Sequence, residues 1–322
     1  MTGRCENPHC DYPDVQCAIG EPDATKCKHL SIRADDEGNE QAPDRTLFPW
    51  TGRTLGLNDL HFVAGRKKPQ TVGVIGMAAA GKTTLLGALY LLICRGEEVF
   101  PGHVFAGSFS LDGWENIASF LRLTPGQRIT FPPHTTTSSE RGPGLLHLRM
   151  SDVTSVYRDF LFTDAPGEWF SKWSYEAEAR EAEGARWIAE NADRFALFAD
   201  CKALSGPNAG KVRGDLQFLI RRLAASLGGR PLALVWSKSD HALDGETQDA
   251  IRELLSNSVA SFEEFSISVK CNNFDEGSEY VVDVDALKSL FHWMLSSSVR
   301  RVSVAKIQPS VWDDCFLAYG SL

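Results

Sequence analysis

"GMAAAGKTTLL", residues Gly76–Leu86, matches the pattern G-x-x-x-x-G-K-[ST]. It follows the β-branched run "QTVGVIG" and leads into the apolar run "TTLLGALYLLICR", so a strand, a loop and a helix are predicted in that order. In this arrangement the backbone N–H groups of the loop and of the helix N-terminus surround phosphate oxygens, Lys82 reaches the β- and γ-phosphates, and the Thr83 hydroxyl binds Mg²⁺. The stretch therefore predicts a nucleotide polyphosphate site. The predicted phosphate-binding residues are Gly76, Ala79, Ala80, Gly81, Lys82, Thr83 and Thr84.

Composition and charge narrow the class of protein. With 43% hydrophobic and 23% charged residues, the chain of 322 residues is typical of a globular protein. Its formal net charge of −9 argues against nucleic acid as a direct partner, because a phosphate-binding track needs a basic surface. No apolar run reaches the ~18 residues of a membrane span, and the first ten residues, "MTGRCENPHC", lack the apolar core of a signal peptide. We therefore expect a cytoplasmic protein without a membrane span.

A second motif, D-x-P-G, lies at Asp164–Gly167, one residue after the apolar run 160–162. In a phosphate-binding sheet, a carboxylate at such a strand end holds the water shell of Mg²⁺, and the N–H of the glycine meets the γ-phosphate. On its own the motif is typical of a turn. Downstream of a phosphate-binding loop it predicts a segment that changes conformation with the bound nucleotide.

A third motif follows the apolar run 232–236 in "RPLALVWSKSDH". It contains Ser237, Lys238 and Asp240, and it resembles the [NT]-K-x-D motif of GTPases. The carboxylate of Asp240 accepts hydrogen bonds from N1–H and the 2-amino group of guanine together, whereas adenine offers no such pair of donors. The aliphatic stem of Lys238 covers the base and ribose. Ser237 replaces the commoner asparagine, which puts the bracing of the phosphate-binding loop in doubt.

The four motifs, in this order, resemble those of a Ras-like GTPase over residues 71–298. The fourth is Ser268-Val269-Lys270, similar to the S-A-K tripeptide whose backbone N–H meets the guanine carbonyl. The resemblance implies GTP and GDP as ligands, with Mg²⁺. The alternation of predicted strands and helices gives an α/β fold, a parallel-rich sheet with one antiparallel hairpin and helices on both faces.

A narrower resemblance concerns the D-x-P-G form and the segment "HVFAGSFSLDGWENIASFL", residues 103–121. The first is similar to the translation-factor-related class of GTPases. The second, an insertion after the predicted phosphate-loop helix, resembles the double-GTPase proteins of prokaryotic conflict and defence loci, which also carry an N-terminal cysteine cluster. This resemblance implies a GTPase that works beside a second, related GTPase and effector subunits.

The residues predicted for hydrolysis depart from the Ras-like pattern. The first switch offers three consecutive threonines, residues 135–137, of which Thr135 is predicted to close over Mg²⁺. Glu168 occupies the site of the water-positioning glutamine, and its carboxylate repels the γ-phosphate, so we expect slow hydrolysis that a partner's arginine or dimerisation accelerates. Arg128 and Arg141 are either internal arginine fingers or solvated loop cations. The predicted catalytic residues are Lys82, Thr135, Asp164, Gly167 and Glu168.

A cysteine cluster lies in the first 30 residues, which are too poor in apolar side chains to form a core. Four thiolates satisfy tetrahedral Zn²⁺, and a small segment can fold on the metal alone. The predicted ligands are Cys5, Cys10, Cys17 and Cys27. The spacing lacks paired C-x₂-C knuckles, so His9 or His29 is an alternative to one cysteine, and a flexible tail with free thiols is the alternative to a zinc site.

These observations divide the chain into a cysteine-rich segment (1–30), a linker and lead-in (31–70), a GTPase domain (71–298) and a C-terminal tail (299–322). The predicted function is a GTP-binding regulatory switch with slow, partner-stimulated hydrolysis. A nucleotide-bound interaction scaffold without turnover is the main alternative. An ATP-using enzyme is disfavoured by Asp240.

Overall fold

A computed structural model describes residues 4–5, 30–31, 54–65, 67–122, 131–132, 142–274 and 277–296. The chain divides into two compact units, Met1–Leu47 and Phe48–Leu322. In the first unit, strands β1 (Arg4–Cys5) and β2 (Leu30–Ser31) pair antiparallel, with Cys5 opposite Leu30. Within the described residues, no helix combines the length and apolarity that a membrane crossing requires.

The second unit alternates strands and helices. Its strands are β3 (Gln70–Gly76), β4 (His103–Gly107), β5 (Gly144–Asp152), β6 (Tyr157–Asp164), β7 (Arg194–Asp200), β8 (Leu232–Ser237), β9 (Glu263–Ile267), β10 (Val269–Phe274) and β11 (Gly277–Val282). Its helices are α1 (Leu60–Ala64), α2 (Lys82–Cys94), α3 (Leu111–Ser119), α4 (Gly167–Tyr175), α5 (Glu183–Asn191), α6 (Cys201–Leu204), α7 (Ala209–Leu227), α8 (Gly245–Ser258) and α9 (Val284–Leu295). Short 3₁₀ helices span Leu57–Asp59 and Arg180–Ala182.

Seven strands form one sheet in the order β4-β5-β6-β3-β7-β8-β9. Strand β3 pairs parallel with β6 and β7, and β7, β8 and β9 continue the parallel part. Strand β5 pairs antiparallel with both β4 and β6, so β5 alone runs against the other strands. The predicted mostly parallel sheet with an antiparallel hairpin is confirmed, and β10 and β11 form a separate hairpin.

Helices cover both faces of this sheet, because its central strands are apolar on both sides. In β3, residues 71–76 are all buried. One core contains side chains of α2, α3 and α9, including Leu85, Trp114 and Leu290, and the other contains side chains of α4, α5 and α7, including Trp169, Ile188 and Leu219. The predicted placement of helices on both faces is therefore confirmed.

The insertion at residues 103–121 forms β4 and α3, and so adds an edge strand that lengthens the antiparallel part of the sheet. Helix α3 lies close to α2 at Gly87, where an added Cβ would lie 2.8 Å from Cδ1 of Leu121. A side chain at Gly87 would therefore displace the side chain of Leu121 and crowd the backbone of α3 at Ile117. This close packing explains a glycine in the interior of an otherwise apolar helix.

Residues 176–195 are rich in side chains of high helix propensity but do not form one continuous helix. After α4 ends at Tyr175, the chain forms the 3₁₀ turn and then α5. Gly184, in the first turn of α5, lies directly against the indole of Trp169, where an added Cβ would be 2.1 Å from Cζ3. The tertiary contact between α4 and α5 therefore overrides the high helix propensity of the intervening residues.

The lead-in before β3 packs on the sheet. Leu55 exchanges backbone hydrogen bonds of 2.8 and 2.9 Å with Leu145 in β5. Its side chain is fully buried in a small cluster with Val63, Leu145 and Leu161. This segment therefore belongs to the same compact unit as the seven-stranded sheet.

Replacing Leu55 with alanine is expected to lower the free energy of unfolding by about 3 kcal/mol, because the side chain is fully buried. Urea titration followed by circular dichroism measures the loss. The control is Leu111→Ala at a side chain that is 44% exposed, for which we expect a change of about 0.5 kcal/mol or less. Equal losses in the two variants would contradict the packing of the lead-in.

Candidate nucleotide site

Two positions at the junction of β3 and α2 require glycine, each for a different structural reason. At Gly76, an added Cβ would lie 2.8 Å from Cβ of Phe198 in the neighbouring strand β7, so close strand packing requires glycine. Gly81 is the N-cap of α2 and has φ of +87°, a left-handed conformation that favours glycine. Ala79 also has a positive φ, of 61°. The loop thus has the tight backbone path that the motif predicts.

Lys82 is 7% exposed and lies under this loop. Its Nζ donates hydrogen bonds of 2.9 Å to the carbonyl oxygens of Gly76 and Met77. Burial lowers the pKa of Lys82 to about 8, and the nearby carboxylates of Asp164 and Glu168 partly offset that effect. The ammonium is therefore held by the loop backbone at the position where the motif places phosphates.

Asp164 ends β6 next to Thr83. Because β6 pairs parallel with β3, the carboxyl ends of both strands lie at one edge of the sheet. The Thr83 hydroxyl donates to Oδ1 of Asp164 at 2.9 Å. A hydroxyl and a carboxylate in contact beside a phosphate-binding loop are hard oxygen donors of the kind that Mg²⁺ prefers, so these residues fit the predicted metal.

The D-x-P-G segment, which is predicted to be the second switch, lies directly against the loop between β3 and α2. Helix α4 begins at Gly167, and an added Cβ there would lie 2.1 Å from the backbone nitrogen of Ala78. Only a glycine permits this approach. Glu168 is exposed in the first turn of α4, whereas Trp169 and Trp173 are buried. The two tryptophans are therefore packing residues.

The motif residues predicted to contact the base lie at the ends of β8 and β9. The Ser268 hydroxyl donates to Oδ1 of Asp240 at 2.7 Å, and the backbone N–H of Ser239 donates to the carbonyl of Ile267 at 3.1 Å. The third and fourth motifs are thus in direct contact. Ser237 is buried, and its hydroxyl lies 3.4 Å from the carbonyl oxygen of Ala199 in β7. The Ser237 side chain therefore bonds to the neighbouring strand β7.

One cavity of about 510 Å³ joins these groups. Its volume is in the range of small-molecule sites. The predicted residues that line it are Ala79, Ala80, Gly81, Lys82, Thr83, Thr84, Gly167, Glu168, Ser237, Lys238, Asp240 and Val269. The lining also includes residues that were not predicted: Ala78, Leu85, Phe131, Pro132, Ala165, Lys202, His241 and Ile267. The structure therefore brings the four sequence motifs to one cavity.

Sequence reasoning missed Lys202 in the cavity wall and Asp200 beside it. Asp200 ends β7, and its Oδ2 lies 2.6 Å from Nζ of Lys238. A signal was available, because the apolar run in "FALFAD" (195–200) is typical of a buried strand and the carboxyl ends of parallel strands meet at one edge.

Several predicted residues lie outside the described part of the chain. They are Thr135, Arg128, Arg141, Cys10, Cys17, Cys27, His9 and His29. Cys5 and Lys270 are described only as backbone within β1 and β10. Among the described residues, no group of three or more His, Cys, Asp or Glu side chains is arranged to hold a metal ion. The zinc site and the first-switch threonine stay predictions.

The chain is similar to several solved GTP-binding proteins. One is a GTP-binding protein from the hyperthermophilic archaeon Sulfolobus solfataricus in complex with GDP (11% identity, TM-score 0.35, covering 70% of this chain and 52% of that chain). Another is Era in complex with MgGDPNP and nucleotides 1506–1542 of 16S ribosomal RNA (16% identity, TM-score 0.34, covering 72% and 58%). The chain thus spans about half the length of these proteins. The comparison with curated proteins found no match.

The family match covers the whole seven-stranded sheet and begins after the lead-in. The family model Double-GTPase 2 matches residues 70–294, which is more than two thirds of the chain and contains all four motifs. The chain therefore belongs to the Double-GTPase 2 family and is a P-loop GTPase of the double-GTPase type.

Proposed function

We propose that this GTP-binding protein is a regulatory switch that hydrolyses GTP slowly with Mg²⁺. The observation that carries the proposal is the contact of 2.9 Å between Thr83 and Asp164, because Thr83 lines the same cavity as Lys82 and Asp240. A site that only held a nucleotide would have no need of this oxygen pair. Asp240, already oriented by Ser268, supports guanine as the base.

Thr83 and Asp164 would hold Mg²⁺, together with Thr135 when the first switch closes. The metal, when bound, neutralises the charge that develops on the phosphate oxygens during transfer. Lys82 orients the β- and γ-phosphates, and the backbone of Gly167 lies close enough to the loop to report the γ-phosphate to α4. Binding of GTP would in this way change the surface that a partner contacts.

Glu168 is the reason that we propose slow hydrolysis. Its side chain is exposed in the first turn of α4 and lines the cavity. A carboxylate there repels the γ-phosphate and the negative charge on the attacking water. None of the described lining residues is an arginine, so acceleration falls to an arginine of a partner, or to Arg128 or Arg141 of the first switch.

We propose a second, related GTPase and effector subunits as partners, with a cytoplasmic role in a prokaryotic conflict or defence system. Family membership and the N-terminal cysteine cluster support this part of the proposal. GTP-dependent closure of the two switches would control the affinity for these partners.

The alternative is a nucleotide-bound scaffold without turnover. The observations that favour it are the carboxylate of Glu168 at the water-positioning site and the bond of Ser237 to β7 instead of the bracing expected from asparagine. A measurement of phosphate release separates the two functions. An ATP-using enzyme would release phosphate from ATP in preference to GTP in the same assay.

Replacing Asp240 with asparagine is expected to weaken GTP binding by about 100-fold, because the amide cannot accept both guanine donors. The variant should instead gain affinity for xanthosine triphosphate, whose C2 oxygen accepts a hydrogen bond. Calorimetric titration with both nucleotides measures the exchange. Asp249→Asn on α8 is the control and should bind GTP as the wild type does. Unchanged GTP affinity in Asp240→Asn would contradict guanine recognition.

Replacing Lys82 with alanine should lower GTP affinity by about 100-fold, since charge-assisted bonds to the phosphates are lost. Glu168→Gln should keep the affinity and raise the single-turnover hydrolysis rate on the order of tenfold, because the repelling charge is removed. Release of ³²P-phosphate from bound GTP measures the rate, with the exposed Glu178→Gln as control. If the wild type binds GTP and releases no phosphate, and Glu168→Gln releases none either, the scaffold function is correct.

The purified full chain should contain about one Zn²⁺, because a segment without a core needs four ligands to order it. The double substitution of Cys10 and Cys17 by serine should remove the metal, whereas serine at Cys94, which is an exposed free cysteine, should keep it. Plasma emission spectrometry on protein prepared without chelators gives the metal content. A wild type without zinc would mean that this segment is a tail with free thiols.

A further inference from the structure

An ion pair at the base end of the cavity joins Lys238 of the third motif to Asp200, which belongs to none of the four motifs. Nζ of Lys238 lies 2.6 Å from Oδ2 of Asp200, and the side chain of Asp200 is 9% exposed while that of Lys238 is 32% exposed. Lys238 has φ of +53°, a left-handed conformation that is uncommon for a residue other than glycine. Its side chain is therefore directed by the surrounding structure and ends on a largely buried carboxylate.

We infer that Asp200 is a positioning residue for guanine nucleotide binding. It anchors the ammonium of Lys238 at the end of β7, so that the aliphatic stem of Lys238 stays in the cavity wall against the base and ribose. The inference rests on the proposed function, because it assumes that the cavity holds a guanine nucleotide.

The carboxylate of Asp200 is itself held in place. Its Oδ1 accepts a hydrogen bond of 3.1 Å from the backbone N–H of Ala203 and so caps α6. Oδ1 of Asp200 is thus fixed by the N-terminus of α6, and Oδ2 forms the ion pair with Lys238. An anchor that is ordered before the nucleotide arrives costs little conformational entropy on binding.

The anchor also keeps two charges of the site apart. Lys238 lies two residues before Asp240, whose carboxylate must stay available for the base. In the structure the ammonium of Lys238 contacts Asp200, while Oδ1 of Asp240 accepts from the Ser268 hydroxyl. If Asp200 lost its charge, the ammonium would turn to the neighbouring carboxylate and compete with guanine for it.

The ion pair offsets the departure at Ser237. That residue contacts β7 through its hydroxyl and the carbonyl of Ala199, at 3.4 Å. The bond of Lys238, the residue after β8, to Asp200 is a shorter side-chain link to β7 than that of Ser237, and it is charge-assisted. The base end of the site is therefore braced to β7, whereas the asparagine of the motif would brace it to the phosphate-binding loop.

The variant that tests the inference is Asp200→Asn in the full chain. Asparagine keeps an oxygen that can cap α6 and removes the charge that holds Lys238. We expect the dissociation constants of GDP and of a non-hydrolysable GTP analogue to rise by the same factor, on the order of tenfold, because the pair lies at the base end. The single-turnover hydrolysis rate at saturating GTP should stay within about twofold of the wild type.

Asp244→Asn is the matched control, since Asp244 caps α8 through the N–H of Thr247 at 2.7 Å and does not line the cavity. It should leave both dissociation constants unchanged. In a Lys238→Met background, Asp200→Asn should have no further effect on affinity, because the bond is already absent. Should Asp200→Asn fail to fold, Lys238→Arg, which keeps the ion pair, should bind GDP about tenfold more tightly than Lys238→Met.

Wild-type affinity in Asp200→Asn, or equal additional losses in the wild-type and Lys238→Met backgrounds, would overturn the role of Asp200 and leave the proposed function intact. A larger loss for the GTP analogue than for GDP would also overturn it, since that pattern belongs to the phosphate end. A wild type that binds no guanine nucleotide would overturn the proposed function together with this inference.

Discussion

The parallel pairing of β3 with its two neighbours is the constraint on which the site depends. Gly76 ends β3, Asp164 ends β6 and Asp200 ends β7, and the parallel registers bring all three ends to one edge of the sheet. The loop after β3 then begins α2 at the centre of that edge. A binding cleft at this point follows from the reversal of strand order on either side of β3. The separate motifs become one site only through this pairing.

Local spacing in the sequence was sufficient to place the loop after β3, the acidic end of β6 and the segment 237–240 at the end of β8. In these cases the chemistry depends on residues within one turn or one strand end, such as Gly81 beside Lys82. The interrupted helix and the ion pair of Asp200 with Lys238 depend on contacts between distant elements. No periodicity within α5 predicts that Gly184 will lie against Trp169, because the cause is the position of α4.

The insertion of β4 and α3 shows how a buried histidine joins an added element to the sheet. His147 in β5 is 1% exposed. Its Nδ1 accepts from the N–H of Phe109 at 3.0 Å, so Nε2 carries the proton and donates to Asp159 at 2.9 Å. Its backbone N–H donates to Ser110 and its carbonyl accepts from Trp114, both at 2.7 Å. The polar groups of His147 are thus satisfied by the insertion and by Asp159 of β6, so the insertion is an integral part of the sheet edge.

The contact between Gly184 and Trp169 has a mechanical consequence for the second switch. Helix α4 is interlocked with α5 by this contact, and Tyr175 at its end is hydrogen-bonded to Asp215 of α7. A displacement that starts at Gly167 cannot be absorbed by unwinding α4 alone, because its buried side chains would lose their packing. Any displacement of α4 would therefore change its contacts with both α5 and α7.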